Sequence, residues 1–249
     1  MLKIEYQDSI AVVKLNRGVT NALNPELVDE LQKAILDLKF KNQIRAMVLT
    51  SSNDKFFSIG FDIPQLIELS QEDFQLYYQK FNQMCLALYT FPKPTVAAVV
   101  GHAIAGGCIL ALCCDYRVIA DERSLMGLNE IKLGVPVPYL ADCILRSLVG
   151  VRSARQIMET GEFYSALQLF QMGMVDQLVS LEEVLPTSME RASALGIMPQ
   201  EAYKMIKKNR VEVIRGDIQK NWDEKKNFFI KCWYSEEAQK LLKKAMEKF

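Results

Sequence analysis

The sequence predicts an α/β fold with parallel strand pairing, and three observations carry that expectation. First, the apolar run Thr95-Val96-Ala97-Ala98-Val99-Val100 has strand length and feeds a glycine-rich loop. The loop opens into Ile109-Leu110-Ala111-Leu112-Cys113-Cys114, a buried helix, and then Asp115-Tyr116-Arg117-Val118-Ile119-Ala120, a second strand. Strand, helix and strand in succession pair the strands in parallel. Second, residues 27, 31, 34, 35 and 38 are apolar at helical spacing behind a capping pair, Asn24-Pro25. Third, half of the 249 residues are hydrophobic, enough for a sizeable core and too many for a disordered chain.

The elements follow in order. Residues 2–7 and 10–16 are apolar or alternating across Gln7-Asp8-Ser9, a hairpin. The helix behind Asn24 carries Glu26 in its first turn and runs to about Phe40. Ala46-Met47-Val48-Leu49-Thr50 is a short buried strand, and Lys55–Ile63 joins a strand end to a polar turn. Residues 71–91 are helical and stop before Pro92-Lys93-Pro94, ahead of strand 95–100, helix 107–114 and strand 115–120. Beyond Tyr139 the pattern is mostly helical, with one strand at Val175–Val179 and two or three helices in the last fifty residues. No repeat, low-complexity stretch or evident linker occurs. The expected organisation is a core over residues 1–195 and a C-terminal helical region over 196–249.

Composition narrows the function. Thirty basic residues balance thirty acidic ones, which argues against a general polyanion-binding surface and hence against nucleic acid as a partner. No apolar run is long enough to span a membrane, and the N-terminus reads as a strand rather than a targeting peptide. Cys85, Cys108, Cys113, Cys114, Cys143 and Cys232 fall mostly within apolar runs, without metal-site or disulfide-framework spacing. Reduced thiols in a cytoplasmic protein are expected. His102 is the single histidine, which excludes a multi-histidine metal site and a Ser-His-Asp triad, and packing is its expected role.

The chemistry centres on Gly101-His102-Ala103-Ile104-Ala105-Gly106-Gly107-Cys108. The loop lacks the Lys-Ser/Thr of a phosphate loop and is not a dinucleotide fingerprint. Glycines between a strand and a buried helix admit close packing, and they also leave unpaired amides able to hold an anion or oxyanion. Phe57-Ser58-Ile59-Gly60-Phe61-Asp62 offers a second glycine-adjacent amide, and two amides from separate loops are what a thioester oxyanion hole requires. Gly127-Leu128-Asn129-Glu130 sets one carboxylate among apolar neighbours.

These segments resemble the crotonase (enoyl-CoA hydratase/isomerase) superfamily across nearly the whole chain. Lys55–Ile63 is similar to its K-x-F-S-A-G-x-D-L signature, Gly101–Asp115 to its second signature, and Leu15-Asn16-Arg17 with Asn21-Ala22-Leu23 to its N-terminal element. Leu133-Gly134 and Gly173-Met174-Val175-Asp176 continue the likeness. The resemblance implies a spiral ββα core, an acyl-CoA thioester substrate of which coenzyme A is a part, no separate cofactor and no metal. It also implies assembly into homotrimers or hexamers, and it places the oxyanion donors at the Phe61 and Gly106 amides. Ile59, Gly60, Phe61, Asp62 and Ile63 would line the acyl-CoA, with Arg17 and the C-terminal lysines as candidates for its phosphates.

One departure bears on the reaction. Family hydratases carry a second glutamate three residues after the oxyanion glycine, and this chain has Ile109 there. Water addition needs one group for the water and another to protonate carbon. A 3-enoyl to 2-enoyl shift needs a single base, and the segment is similar to Δ3,Δ2-enoyl-CoA isomerases. The resemblance therefore makes Glu130 the acid/base and Asn129 a substrate contact. The alternatives are a hydratase or another crotonase-type hydrolase or lyase, and a non-catalytic acyl-CoA- or RNA-binding homologue. Among other readings, Glu130 is a helix-start carboxylate paired with Lys132 or another base, and Asp62 is a turn cap. Asp115, Asp121 and Glu122 have turn or salt-bridge roles. Pro136–Pro138 and Tyr139 reshape the acyl end, whose pocket draws on 66–90 and 135–145. Trp222, Phe228, Phe229 and Trp233 are core or subunit interface.

Overall fold

The computed structural model describes residues 1–121 and 124–247. Its elements in chain order are β1 (Leu2–Gln7), β2 (Ile10–Leu15), α1 (Pro25–Phe40), β3 (Ala46–Ser51), β4 (Phe56–Ser58), α2 (Ile63–Leu66) and α3 (Gln71–Tyr89). There follow β5 (Thr95–Val99), β6 (His102–Ile104), α4 (Gly106–Leu112), β7 (Tyr116–Ala120), β8 (Leu125–Gly127) and a 3-10 turn at Glu130–Leu133. The chain continues through α5 (Tyr139–Thr160), β9 (Tyr164–Ser165), α6 (Ala166–Gln171), β10 (Gln177–Val179), α7 (Leu181–Gly196), α8 (Gln200–Trp233) and α9 (Glu236–Met246).

Two sheets alternate along the chain. The larger has the order β1-β2-β3-β5-β7-β10 and the smaller β4-β6-β8-β9. Each strand of the large sheet from β3 to β7 is followed directly by one in the small sheet, so β3/β4, β5/β6 and β7/β8 are successive turns of a ββα spiral. Within the large sheet every pairing but the β1–β2 hairpin is parallel. Parallel strands are covered on both faces, which explains their unbroken apolar runs. Ala11, Val13, Met47, Leu49, Ala97 and Val99 face the main core, while Val12, Val48, Val96, Ala98 and Val118 pack under α7. The expected hairpin, caps and core strands are present, and Asn24 caps α1 by accepting from the Leu27 amide at 3.0 Å. The strand expected at 175–179 is shorter, Gln177–Val179. Strands β6, β8 and β9 are only two or three residues long, too short for a period-2 pattern to register.

The C-terminal helices pack into the same core. Phe229 of α8 stacks on Tyr78 of α3 with ring centres 4.1 Å apart, and Trp233 stacks on Phe74 at 4.2 Å. At its N-terminal end α8 is held by a buried ionic cluster. Asp115 accepts from Lys207 Nζ at 2.7 Å, from the Thr95 amide and hydroxyl at 2.9 and 3.0 Å, and also from Arg210. Asp115 therefore has the salt-bridge role expected for it, Asp121 sits exposed in a turn, and Glu122 lies outside the described residues. His102 is structural: its Nδ1 accepts from the Leu125 amide at 3.1 Å and its ring packs on Phe56. All six cysteines are free thiols, five of them buried. Among the described residues, no helix is long and apolar enough to cross a membrane.

Candidate active site

The two glycine loops meet. Gly60 has φ of +87°, and a Cβ there would lie 2.7 Å from the Gly106 amide nitrogen and 2.9 Å from the Ile104 carbonyl. Only glycine permits that approach. Gly107 is equally confined, since its Cβ would stand 2.1 Å from the Ser58 carbonyl oxygen. The close-packing reading of the loop therefore holds at Gly60 and Gly107. Between the sheet and α4 the chain turns through Ala105, a non-glycine residue at φ +47°, and such strain is retained where surrounding contacts over-determine the backbone.

The Phe61 amide is aimed by a short parallel bridge to Leu23. Leu23 N–H donates to the Gly60 carbonyl at 2.7 Å and Asp62 N–H donates to the Leu23 carbonyl at 3.1 Å. In extended backbone successive amides point to opposite sides, so the Phe61 N–H faces away from that bridge. Behind it, Tyr77 Oη donates to the Leu23 carbonyl at 2.8 Å. Asn21, buried and itself at φ +47°, ties the N-terminal element to β3 and β4: its Nδ2 donates to Ser51 Oγ at 2.8 Å and to the Phe57 carbonyl at 3.2 Å. Asp62 caps α2 through the Gln65 amide at 3.3 Å and pairs with Arg17 at 2.6 Å.

Phe61, Gly106, Ile109, Asn129 and Glu130 line one cavity of about 300 Å³. Ile59, Asp62 and Ile63 line it as well, as does Arg17. Gly60 does not: it lies behind the wall, pressed on Ile104–Gly106, so its part in the site is to admit the neighbouring loop.

Glu130 begins the 3-10 turn, which closes through Gly134 at φ +76°. The carboxylate is 5% exposed and its Oε2 has no hydrogen-bond partner among the described residues. Burial pushes its pKa up to about 8, opposed only by its own backbone amide. The reading of Glu130 as paired with Lys132 is overturned: Lys132 pairs with Glu162 at 2.7 Å, leaving Glu130 alone. A Cβ on Gly134 would meet Ala238 Cα at 2.9 Å, so α9 packs directly on the turn that presents Glu130.

The residues expected at the acyl end divide between two spaces, a groove that Tyr78 lines together with Pro136, Val137, Tyr139 and Asp142, and the cavity beside Glu130. The cavity takes Val135 and Pro138 from 135–145 but nothing from 66–90, whose aromatic residues Tyr77 and Phe81 stand behind the Phe61 ring at 5.2 and 4.8 Å. Its remaining wall comes from the C-terminal helices, with Phe229, Trp233, Ala245 and Met246. Phe229 and Trp233 are thus cavity wall as well as core, while Trp222 stacks on Tyr78 and Phe228 is exposed. Tyr139 and Pro136 line a separate groove beside α8. Helix α8 is 34 residues long and mostly polar, so its sequence pattern carried no signal of which residues reach the site.

A cavity walled by the abutting Phe61 and Gly106 loops and by a buried carboxylate has the kinds of group that can polarise a carbonyl and move a proton beside it. The Enoyl-CoA hydratase/isomerase family model matches residues 5–249. The chain belongs to this family. Within the enoyl-CoA hydratase/isomerase family it resembles members of both named activities. It is 31% identical to human mitochondrial enoyl-CoA delta isomerase 1 over 80% of this chain and 66% of that protein. The chain thus spans just under two thirds of that relative's length. It is 28% identical to crotonyl-CoA hydratase of Syntrophomonas wolfei subsp. wolfei over 98% of this chain and 94% of that one. The crystal structure of human mitochondrial delta3-delta2-enoyl-CoA isomerase superposes with a TM-score of 0.95 at 28% identity, covering 99% of this chain and 97% of the other. The fold is the crotonase fold, as the superposition on that isomerase shows.

Proposed function

We propose that the protein converts 3-enoyl-CoA to 2-trans-enoyl-CoA. The observation that carries this reading is that, among the described residues, Glu130 is the one unpaired carboxylate lining the cavity, while buried Ile109 stands where a second would be. Asp62, the other carboxylate on the wall, is held by Arg17. In this reading the Phe61 and Gly106 amides donate to the thioester oxygen. Ionised Glu130 takes a proton from C2, and the electron pair of that C–H bond forms a C1–C2 double bond with the negative charge on that oxygen, a dienolate in which C3=C4 is still in place. The double bond comes to lie between C2 and C3, and the charge leaves the oxygen, only as C4 takes up a proton. Glu130, now protonated, returns the proton at C4 and is ionised again. Asn129 positions the acyl group beside it. Burial makes the carboxyl a stronger base than an ordinary glutamate, suited to a weakly acidic C–H.

The relatives include hydratases, and hydration is the second reading. It requires a group to activate water at the position Ile109 occupies. Purified protein offered 3-enoyl-CoA and 2-enoyl-CoA of several lengths separates the two. Conjugated 2-enoyl product without hydroxyacyl product is expected, and dominant hydroxyacyl-CoA would overturn the isomerase assignment. A homotrimer or hexamer is proposed alongside, since α8 presents Ile206, Val213 and Phe228 to solvent; light scattering giving a monomer would refute it.

A further inference from the structure

The cavity beside Glu130 and the groove beside α8 share a wall. The cavity holds about 300 Å³, at the small end for a ligand site, and the groove about 400 Å³. Along residues 130–138 the chain gives its side chains to one space or the other. Glu130, Val135 and Pro138 line the cavity, while Ile131, Pro136 and Val137 line the groove. Among the described residues, Phe229 alone lines both.

The Phe229 side chain is a fixed partition. Its residue is 2% exposed, and its ring stacks on Tyr78, which lines the groove, at 4.1 Å and 18°. It also lies near-parallel to Trp233, which lines the cavity, at 6.5 Å and 20°, and Trp233 stacks in turn on Phe74 at 4.2 Å. Phe74 and Tyr78 are four residues apart on α3, and Phe229 and Trp233 are four apart on α8, so each pair shares a helix face and the two faces meet ring on ring. A ring held in this way swings aside only by giving up its aromatic contacts. A hydrocarbon chain leaving the reacting carbons follows apolar surface, which Val135, Pro138, Phe229 and Trp233 supply. Behind the partition the groove is apolar too, with Tyr78, Val137 and Met158, and Phe229 closes the way to it.

We propose that Phe229 is a specificity-determining residue: it ends the acyl pocket, confines the protein to short acyl chains, and seals off a groove that would otherwise take the distal carbons of a longer one. This rests on the reading of the cavity as the acyl site of a 3-enoyl-CoA isomerase. With an open pocket each added methylene would tighten binding. Against a packed ring it forces strained side chains instead, so carbons past the partition are penalised. Core packing alone would explain the burial of Phe229, but it gives no reason for chain-length preference to change with that residue.

The test reads chain-length profiles. Wild-type protein, Phe229→Ala and the milder Phe229→Leu are assayed with 3-hexenoyl-, 3-octenoyl-, 3-decenoyl- and 3-dodecenoyl-CoA, and saturated thioesters of the same lengths are titrated by calorimetry. In the wild type, kcat/KM for the longest chain is expected to lie at least about tenfold below that for the shortest, with Kd weakening in parallel. In Phe229→Ala the long-to-short ratio should rise at least about tenfold, and in Phe229→Leu by less. A ratio within one protein does not move with the fraction that is folded. Adding Met158→Trp, which fills the groove, to Phe229→Ala should return the ratio toward its wild-type value. Long chains handled as well as short ones by the wild type would overturn the proposal. So would a ratio unchanged in both Phe229 variants, or a shift that Met158→Trp leaves in place. If no thioester is isomerised, the isomerase reading fails, and the Kd profiles of the saturated ligands decide the role of Phe229 by the same criteria.

Discussion

Asp115 and Glu130 are two carboxylates buried to almost the same degree, and the protein treats them in opposite ways. Asp115 has a full set of partners in Lys207, Arg210, Thr95 and Tyr203. Burial alone would raise its pKa, but Lys207 and Arg210 outweigh that and hold it below the usual carboxylate range. Glu130 has no side-chain partner among the described residues, and burial pushes its pKa up to about 8. Depth in the core therefore does not decide what an acid does. The charges supplied around it do: one acid is a fixed anion anchoring α8, and the other is a group whose proton can come and go.

The contrast can be broken from either side. The largest effect is expected from Glu130→Gln, which removes the only unpaired carboxylate of the cavity among the described residues while keeping its shape. Isomerisation should fall by about 10²–10⁴-fold with the melting temperature held or raised, and near wild-type turnover would show that the proton travels by another group. Asp115→Ala should do the reverse. It leaves buried Lys207 without its counter-charge, at a cost of about 3–5 kcal/mol measured by denaturant unfolding. Protection of α8 amides from exchange should drop first, and an unchanged midpoint would refute the anchor.

The smallest effect, and the most diagnostic, is the pH dependence. The rate requires ionised Glu130, so kcat/KM should rise about tenfold between pH 7 and the plateau above its pKa of about 8. Stability should move the other way. The folded state holds the Glu130 proton more tightly than the unfolded chain, so the group favours folding at acid pH. That advantage is lost as pH climbs from 4.5 to about 8. Relative to Glu130→Gln, the wild-type protein should lose stability over that window, and parallel curves for the two would contradict an unpaired buried carboxyl.

Much of this was legible along the chain, and the limit has a physical cause. Asn24-Pro25, the apolar runs of β3, β5 and β7, and the turn capped by Asp62 are local features, written in a few consecutive residues. The motifs likewise named Phe61, Gly106, Asn129 and Glu130 before any geometry was known, and Ile109 as the position that departs. Tertiary structure alone decided three things. It brought Phe61 and Gly106, 45 positions apart in the sequence, to a shared cavity through a glycine with no room for a side chain. It sent Lys132 to Glu162, leaving Glu130 without an ionic partner among the described residues and its pKa pushed up by burial. And it carried Phe229 and Trp233 from the far end of a long polar helix into the wall of the site. Each depends on which distant groups meet, and no local periodicity or propensity records that.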